Sequence, residues 1–283
     1  MIRIITDSAS DISQEEAAAW NITVIPLIIR FDMEEFEAGV TLSNEEFFHR
    51  LLETDVYPST SQITPDRYEK LFREAKEAGD EVILLSLPAK LSGSFQNALL
   101  AAQGYEDMVT IIDSGQVCLS FRILVEQAVR YRDAGMSRAE ITERMQQDIE
   151  DTQMVAVLDT LEYVKRGGRI NAATALVGGM LSVKPVLTVR DGEVIICGKA
   201  RGTHNGSIRM VEFVEKAGGI DFDRPCCFGY TGFTDTRLQR FIADSRHLYD
   251  GHEDEMKHVY VGPTIGTYAG ADAFAVAFFP KKG

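Results

Sequence analysis

Residues 81–102 read EVILLSLPAKLSGSFQNALLAA, and this stretch decides the fold. Glu81 to Leu87 is a short apolar run of strand length, and an amphipathic helix near 94–102 follows it. Between them stands Leu91-Ser92-Gly93-Ser94. A strand that passes through a Ser/Gly loop into a helix is the repeating unit of a parallel sheet covered by helices. In such sheets ligands lie beyond the carboxyl ends of strands, where a helix N-terminus offers free N–H groups to an anion. Gly93 removes a side chain that would block close approach, and Ser92 and Ser94 add hydroxyls. Taken alone, this loop either binds an anion or caps its helix.

The same alternation extends in both directions. Arg3 to Thr6, Thr23 to Ile29 and Val109 to Asp113 read as further strands in the first half. Helices are expected near 14–19, 44–53, 65–78, 117–134 and 138–150. Ser13 with Glu16, Ser43 with Glu46 and Ser137 with Glu140 are Ser-x-x-Glu capping boxes, and Thr64-Pro65 is a further helix start. After Met154 to Asp159, a strand, the spacing predicts a short helix ending at Gly167-Gly168, a second helix around 171–182, and a hairpin. In that hairpin Pro185 to Val189 and Glu193 to Cys197 flank Arg190-Asp191-Gly192, whose Asp-Gly pair can take the positive φ angles of a tight turn. Helices 205–217 and 235–247 alternate with strands 225–230, 257–261 and 273–279. The fold class is therefore α/β in two domains, 1–155 with a largely parallel sheet covered by helices and 156–283 as a second α/β unit. Interfaces of this kind are preferred places for small-molecule pockets.

Composition narrows the function. The chain has 283 residues and a formal charge of −14, which argues against a nucleic-acid partner. Residues 161–210 are an exception, with Lys165, Arg166, Arg169, Lys184, Arg190, Lys199, Arg201 and Arg209 against Glu162, Asp191 and Glu193. A basic island in an acidic chain suits the docking of an anionic ligand or partner, or is a solvated face and hairpin. No stretch has the length of a spanning helix and none reads as a signal peptide, so a cytoplasmic protein without a membrane span is expected. Cys118, Cys197, Cys226 and Cys227 show neither zinc-ligand nor redox spacing and read as small buried hydrophobes in strands. No cofactor or metal is expected; the acidic stretch from His252 to His258 reads as a solvated loop.

Five more segments carry polar chemistry. Pro58-Ser59-Thr60-Ser61-Gln62, in a loop before a helix, presents uncharged donors to an anion or simply connects two elements. Asp7-Ser8 and Asp113-Ser114, each at a strand end, line the same crevice or begin helices. Arg169, directly after Gly167-Gly168, can bind a carboxylate or order hydroxyls beside it, or lie on the surface. Residues 261–270, Val261-Gly262-Pro263-Thr264-Ile265-Gly266-Thr267-Tyr268-Ala269-Gly270, read as a glycine-rich loop between the last two strands.

Taken in order, Thr6-Asp7-Ser8, Thr60-Ser61-Gln62, Leu91-Ser92-Gly93 with Phe95-Gln96-Asn97-Ala98, Ile112-Asp113-Ser114, Gly167-Gly168-Arg169-Ile170, Lys184-Pro185 and Gly262-Pro263-Thr264-Ile265-Gly266-Thr267 resemble the DegV family along the whole chain. The resemblance implies two α/β domains with a fatty acid buried between them. Members include the fatty-acid-binding subunit of bacterial fatty acid kinase, which presents the carboxylate to a separate ATP-dependent kinase for acyl phosphate formation in phospholipid metabolism. By motif, Thr60, Ser61, Ser92 and the Gly93 amide stand as the head-group site, Arg169 as its support, and Arg201 as a residue engaging the kinase subunit. Where family members commonly carry histidine after Gly-Thr, this chain has Tyr268, which keeps a donor but is larger. The resemblance implies a binding subunit that does not catalyse alone. The rival readings are a hydrolase or transferase using Ser92 as nucleophile, for which no Gly-x-Ser-x-Gly elbow or histidine partner is evident, and a lipid-sensing or transport protein without a kinase.

Overall fold

The computed structural model describes residues 1–170 and 183–282; the helix expected over 171–182 lies outside them. The first sheet is parallel throughout, in the order β2-β1-β6-β7, from β1 (Ile2–Asp7), β2 (Ile22–Ile25), β6 (Glu81–Ser86) and β7 (Val109–Asp113). Between β1 and β2 lies α1 (Gln14–Ala19). Around it the chain forms β3 (Ile28–Phe31), β4 (Glu34–Glu37), α2 (Asn44–Glu53), β5 (Ser59–Ser61) and α3 (Pro65–Ala78), followed after β6 by α4 (Ser94–Ala101), α5 (Cys118–Asp133) and α6 (Arg138–Asp151). Strands β4, β3 and β5 make a small antiparallel sheet.

The second half supplies β8 (Gln153–Val157), α7 (Glu162–Arg166), β9 (Val183–Arg190), β10 (Glu193–Arg201), α8 (Gly202–Lys216), β11 (Cys227–Tyr230), α9 (Thr236–Asp244), β12 (Lys257–Tyr260), α10 (Pro263–Ala269) and β13 (Phe274–Phe278). Its sheet runs β10-β9-β8-β13-β11-β12, with only β11 and β12 parallel. The fold class is the α/β arrangement expected. A division at residue 155 passes through β8, whereas the change of sheet falls between α6 and β8.

Several elements differ from the sequence reading, each for a local reason. Thr23 to Ile29 is not one strand: Pro26 cannot donate to a ladder, and the chain leaves the first sheet there to enter the small one. Ser59 to Ser61 is a strand rather than a connecting loop, held by pairing with β3. Residues 263–269 form a helix rather than a loop. Pro263 at its first position gives up an N–H that had no partner, and Gly270 closes it at φ 70°. The expected helix 235–247 ends at Asp244 and passes into a 3₁₀ turn. Ser13 and Ser137 form complete capping boxes, but Ser43 accepts only from the Glu46 amide, because the Glu46 carboxylate turns to Arg50. Cys118 is buried but opens α5, Cys197 lies in β10 but is exposed, and Cys226 is buried just before β11, so only Cys227 is both buried and in a strand as expected. The hairpin follows the reading: Glu193 pairs with Arg190, and Asp191 and Gly192 take φ of 51° and 73°.

The core is arranged by strand alternation. On β13, Phe274, Val276 and Phe278 face α8 and α9, while Ala273, Ala275 and Ala277 face α5 and the first sheet. One hydrophobic cluster runs without a break from Ile4 and Ile83 of the first sheet through Leu119, Phe121 and Leu124 of α5 to Ala156 and Ala275 of the second. The two halves are thus packed as one body, and their seam is lined by small side chains on one side.

Candidate functional site

A cavity occupies that seam. Its volume is about 120 Å³ measured to the centre of a water-sized sphere, several times the ~10–15 Å³ that one water requires. In-register pairing places Ala156 beside Ala275 and Ala275 beside Gly229. Ala156 and Ala275 leave the sheet face hollow, the space over Gly229 being taken by Leu119, and Leu87, Val117, Leu158, Val164 and Val189 complete an aliphatic wall. The sequence held a signal for this wall in the alternation of alanine with Phe and Val along β13.

Four expected site residues converge on the cavity: Thr60, Ser92, Arg169 and Tyr268. Thr60 comes from β5, where alternation turns its side chain toward the cavity and the neighbouring Ser61 away. Tyr268 comes from the last turn of α10, and its hydroxyl lies 2.6 Å from Thr60 Oγ1. Ser92 precedes α4; its Oγ accepts from the Ser94 amide at 3.2 Å and sits 3.0 Å from Ser94 Oγ. Ser94 is fully buried and accepts from the Ile63 amide at 3.0 Å, which ties the β5–α3 connection to the Ser92 loop.

Arg169 supports from behind rather than pointing freely into the space. Its Nε donates to Leu91 O at 3.2 Å and its Nη1 to Gly167 O at 2.7 Å, and its guanidinium lies 5.4 Å from the Tyr268 ring centre. Gly167 has a steric role: a side chain there would overlap the Tyr268 ring. At Gly93 the side chain that would overlap is excluded by the Gln62 carboxamide, so the open face of that glycine is filled by protein. Gly93 and Ser61 do not line the cavity, and Arg201 is exposed at the end of β10.

Two carboxyls lie behind these loops. Burial pushes both Asp7 and Asp11 up to about 7, against the lowering pull of backbone N–H groups from Leu87 and Ala9 on Asp7 and from Gly262 on Asp11. Asp7 spends its oxygens on Ala9 and Leu87, both cavity residues, and so fixes the ends of β1 and β6. Asp11 Oδ1 accepts from Gly262 at 2.8 Å, while Oδ2 is buried without a hydrogen-bond partner, so a negative charge on this carboxyl meets few donors and ionisation is disfavoured. Groups that bind protons more tightly when folded stabilise fully below their unfolded value near 3.8 and lose that contribution as pH rises through about 7. Stability is therefore expected to fall between pH 5 and pH 8, and Asp11→Asn to flatten part of that slope. Urea midpoints of both proteins at the two pH values check this, and an identical slope in the variant would sink it.

Among the described residues none of the five histidines is bonded to Ser92. His49 pairs with Glu53, His204 with Asp244, His247 with Glu215, His252 with Glu255, and His258 lies against Gln239 and Phe228. Among the described residues no group of three or more His, Cys, Asp or Glu is placed to hold a metal, and no helix is long and apolar enough to cross a membrane.

Fold and site together define an α/β protein with a buried, mostly aliphatic cavity ended by uncharged hydroxyls. The model of the DegV family, described as uncharacterised proteins, matches residues 1–281, and the chain belongs to that family. A DegV domain-containing protein of Caldanaerobacter subterraneus is 33% identical over 99% of both chains, and one of Deinococcus radiodurans is 32% identical over 99% of this chain and 98% of its own. Among solved structures, a DegV family protein from Thermus thermophilus, described by its fatty acid binding, has a TM-score of 0.87 at 27% identity, covering 98% of this chain and 99% of its own. DegV of Bacillus subtilis, described as a fatty acid binding protein, shares the fold with a TM-score of 0.83 at 22% identity, covering 99% of both chains.

Proposed function

We propose that this protein binds a long-chain fatty acid, with the carboxylate at Thr60 and Ser92 and the acyl tail in the cavity between the two sheets. The observation that carries this reading is the pairing of an aliphatic cavity with hydroxyl groups at one place on its wall. The fatty acid binding described for the Thermus thermophilus relative supports it. The tail supplies most of the affinity: each buried methylene is worth roughly 0.8 kcal/mol, so ten outweigh several hydrogen bonds at about 1 kcal/mol each. The head group then sets orientation, with Arg169 lending positive charge from behind while it holds the Leu91 and Gly167 carbonyls. Native mass spectrometry of the purified protein, followed by denaturing extraction, tests the reading. A fatty acid should be released; an empty protein that also fails to take up added long-chain fatty acids would overturn it.

The finer part of the proposal is that the bound acid is presented to a separate ATP-dependent kinase, which forms the acyl phosphate, and that the exposed Arg201 engages that subunit. It rests on the motif resemblance and on the basic residues around Arg201. Incubation with a fatty acid kinase catalytic subunit, ATP and fatty acid should yield acyl phosphate, and Arg201→Ala should reduce the yield without loss of lipid. No product with the unaltered protein counts against this part alone.

A further inference from the structure

We infer that Cys118 is a covalent modification site for electrophilic acyl chains: a fatty acid carrying a conjugated enone enters the cavity and is captured on the Cys118 sulfur, with the Asp11 carboxyl taking the thiol proton. The inference rests on the fatty-acid reading and adds a class of ligand and a reaction that binding alone does not imply.

Of the four cysteines, Cys118 alone lines the cavity; Cys226 and Cys227 are buried elsewhere and Cys197 is exposed. Cys118 is the first residue of α5 and has a φ of 57°, a left-handed backbone that residues with a Cβ rarely adopt. The chain on either side imposes this conformation. Ser114 Oγ donates to Gln116 O at 2.9 Å and accepts from the Gln116 amide at 3.2 Å, and Ser120 Oγ donates to Val117 O at 2.8 Å. Cys118 is thus fastened at the wall of the lipid space.

A buried thiol in apolar surroundings is ordinarily inert, because only the thiolate attacks. Burial pushes the Cys118 thiol well up, and the Asp11 carboxyl beside it pushes it further, so the sulfur keeps its proton at neutral pH. Asp11 supplies the missing base. It is 9% exposed, its Oδ2 has no hydrogen-bond partner, and burial pushes it up to about 7 against the pull of the Gly262 amide, the thiol and Arg122. A carboxyl in this range is ionised in about half of the molecules at neutral pH and can accept a proton as the sulfur attacks. In that step the S–H bond breaks, its proton passes to Asp11, the sulfur bonds the β carbon of the enone, and the π electrons move to the carbonyl oxygen as an enolate. Return of the proton from Asp11 to the α carbon restores the carboxylate, so thiol and enone give a thioether ketone with no other reactant. Access then decides which cysteine reacts. A small water-soluble reagent meets Cys197, whereas an electrophile held by its acyl tail meets Cys118 at high effective concentration.

Intact-mass and peptide-mapping mass spectrometry test this. The probes are the two oxo-octadecadienoates of linoleate, with the saturated oxo-octadecanoate as a control that lacks an acceptor carbon and iodoacetamide as the soluble reagent. Iodoacetamide should label Cys197 and spare Cys118, an oxo-octadecadienoate should add once at Cys118, and the saturated control should give no adduct. Tetradecanoate at about ten times its Kd should slow the addition about tenfold, and Cys118→Ser should abolish it. Asp11→Asn should lower the limiting rate at saturating probe about 100-fold, with displacement of a fluorescent fatty acid showing that the cavity still fills. Mapping and protection are read on the unaltered protein, so the assignment of the site stands or falls without the variants. An adduct mapped to Cys197, an addition that tetradecanoate does not slow, or no adduct on a protein that binds the fluorescent fatty acid would overturn this inference alone. An unchanged limiting rate in Asp11→Asn would overturn the role of Asp11, and a protein that binds no fluorescent fatty acid removes the fatty-acid reading as well.

Discussion

Ala275→Leu is expected to reduce affinity for a long-chain fatty acid by about 100-fold or more while the protein stays folded. Ala275 stands at the centre of the row formed with Ala156 and Gly229, and all three line the cavity. Its neighbours along β13, Phe274 and Val276, point into the other core, so a larger residue at 275 can only enlarge toward the cavity. Displacing about four methylenes of a tail at ~0.8 kcal/mol each removes roughly 3 kcal/mol, or about two powers of ten. The fold should tolerate the change, because the added carbons enter space that already exists instead of a packed interior. Titration with a fluorescent fatty acid together with a thermal melt separates the two effects. Unchanged affinity in a folded variant would mean that the tail does not lie over this row.

The same row shows which parts of the molecule could be read in advance. Strands with strong apolar runs and helices with capping serines were legible, because each signal is local and each is used: Ser13 and Ser137 complete their boxes. β5 was not legible, since Ser59-Thr60-Ser61 has no hydrophobic pattern and becomes a strand only by pairing with β3. Helix α10 was hidden by three glycines and a proline in a short span, although Gly266 is there because a side chain would strike Phe47 and Phe48 of α2. The polar end was visible as separate motifs, yet nothing local told that Thr60 would meet Tyr268 across 208 positions or that Arg169 would be turned to backbone carbonyls. Gly93 drew attention as an open approach for a ligand, and the Gln62 side chain occupies that approach.

Arg122→Ala should destabilise the protein by about 3–5 kcal/mol, because it empties the space of a fully buried long side chain and removes its hydrogen bonds to Asp11 O and Glu16. Arg122 lies in α5 at 1% exposure, in a helix buried on most sides whose neighbouring positions include Leu119, Phe121, Ile123, Leu124 and Val125. Its Nη1 donates to Asp11 O and to Glu16 Oε2, both at 3.0 Å, its Nη2 bonds Glu16 Oε1, and its guanidinium lies 5.2 Å from the Trp20 ring centre. One side chain therefore ties α5 to α1 and to the turn after β1, whose Ala9 lines the cavity. At roughly 2–4 °C per kcal/mol for a chain of this size, the melting temperature should fall by about 6–20 °C. Arg122→Met should lose much less, since it refills the volume and leaves Glu16, 38% exposed, able to reach water. The pH dependence gives a second check. Burial pushes the Glu16 carboxyl up, but the hydrogen bond and charge of Arg122 outweigh this and hold it below its usual range. A depressed carboxyl stabilises above its unfolded value near 4.5 and loses that contribution as pH falls through the folded value. The gap between the unaltered protein and Arg122→Ala should accordingly narrow in acid. A variant melting within about 2 °C of the unaltered protein at pH 7, or a gap that widens below pH 4, would show that this arginine does not hold α5 to the loops behind the cavity.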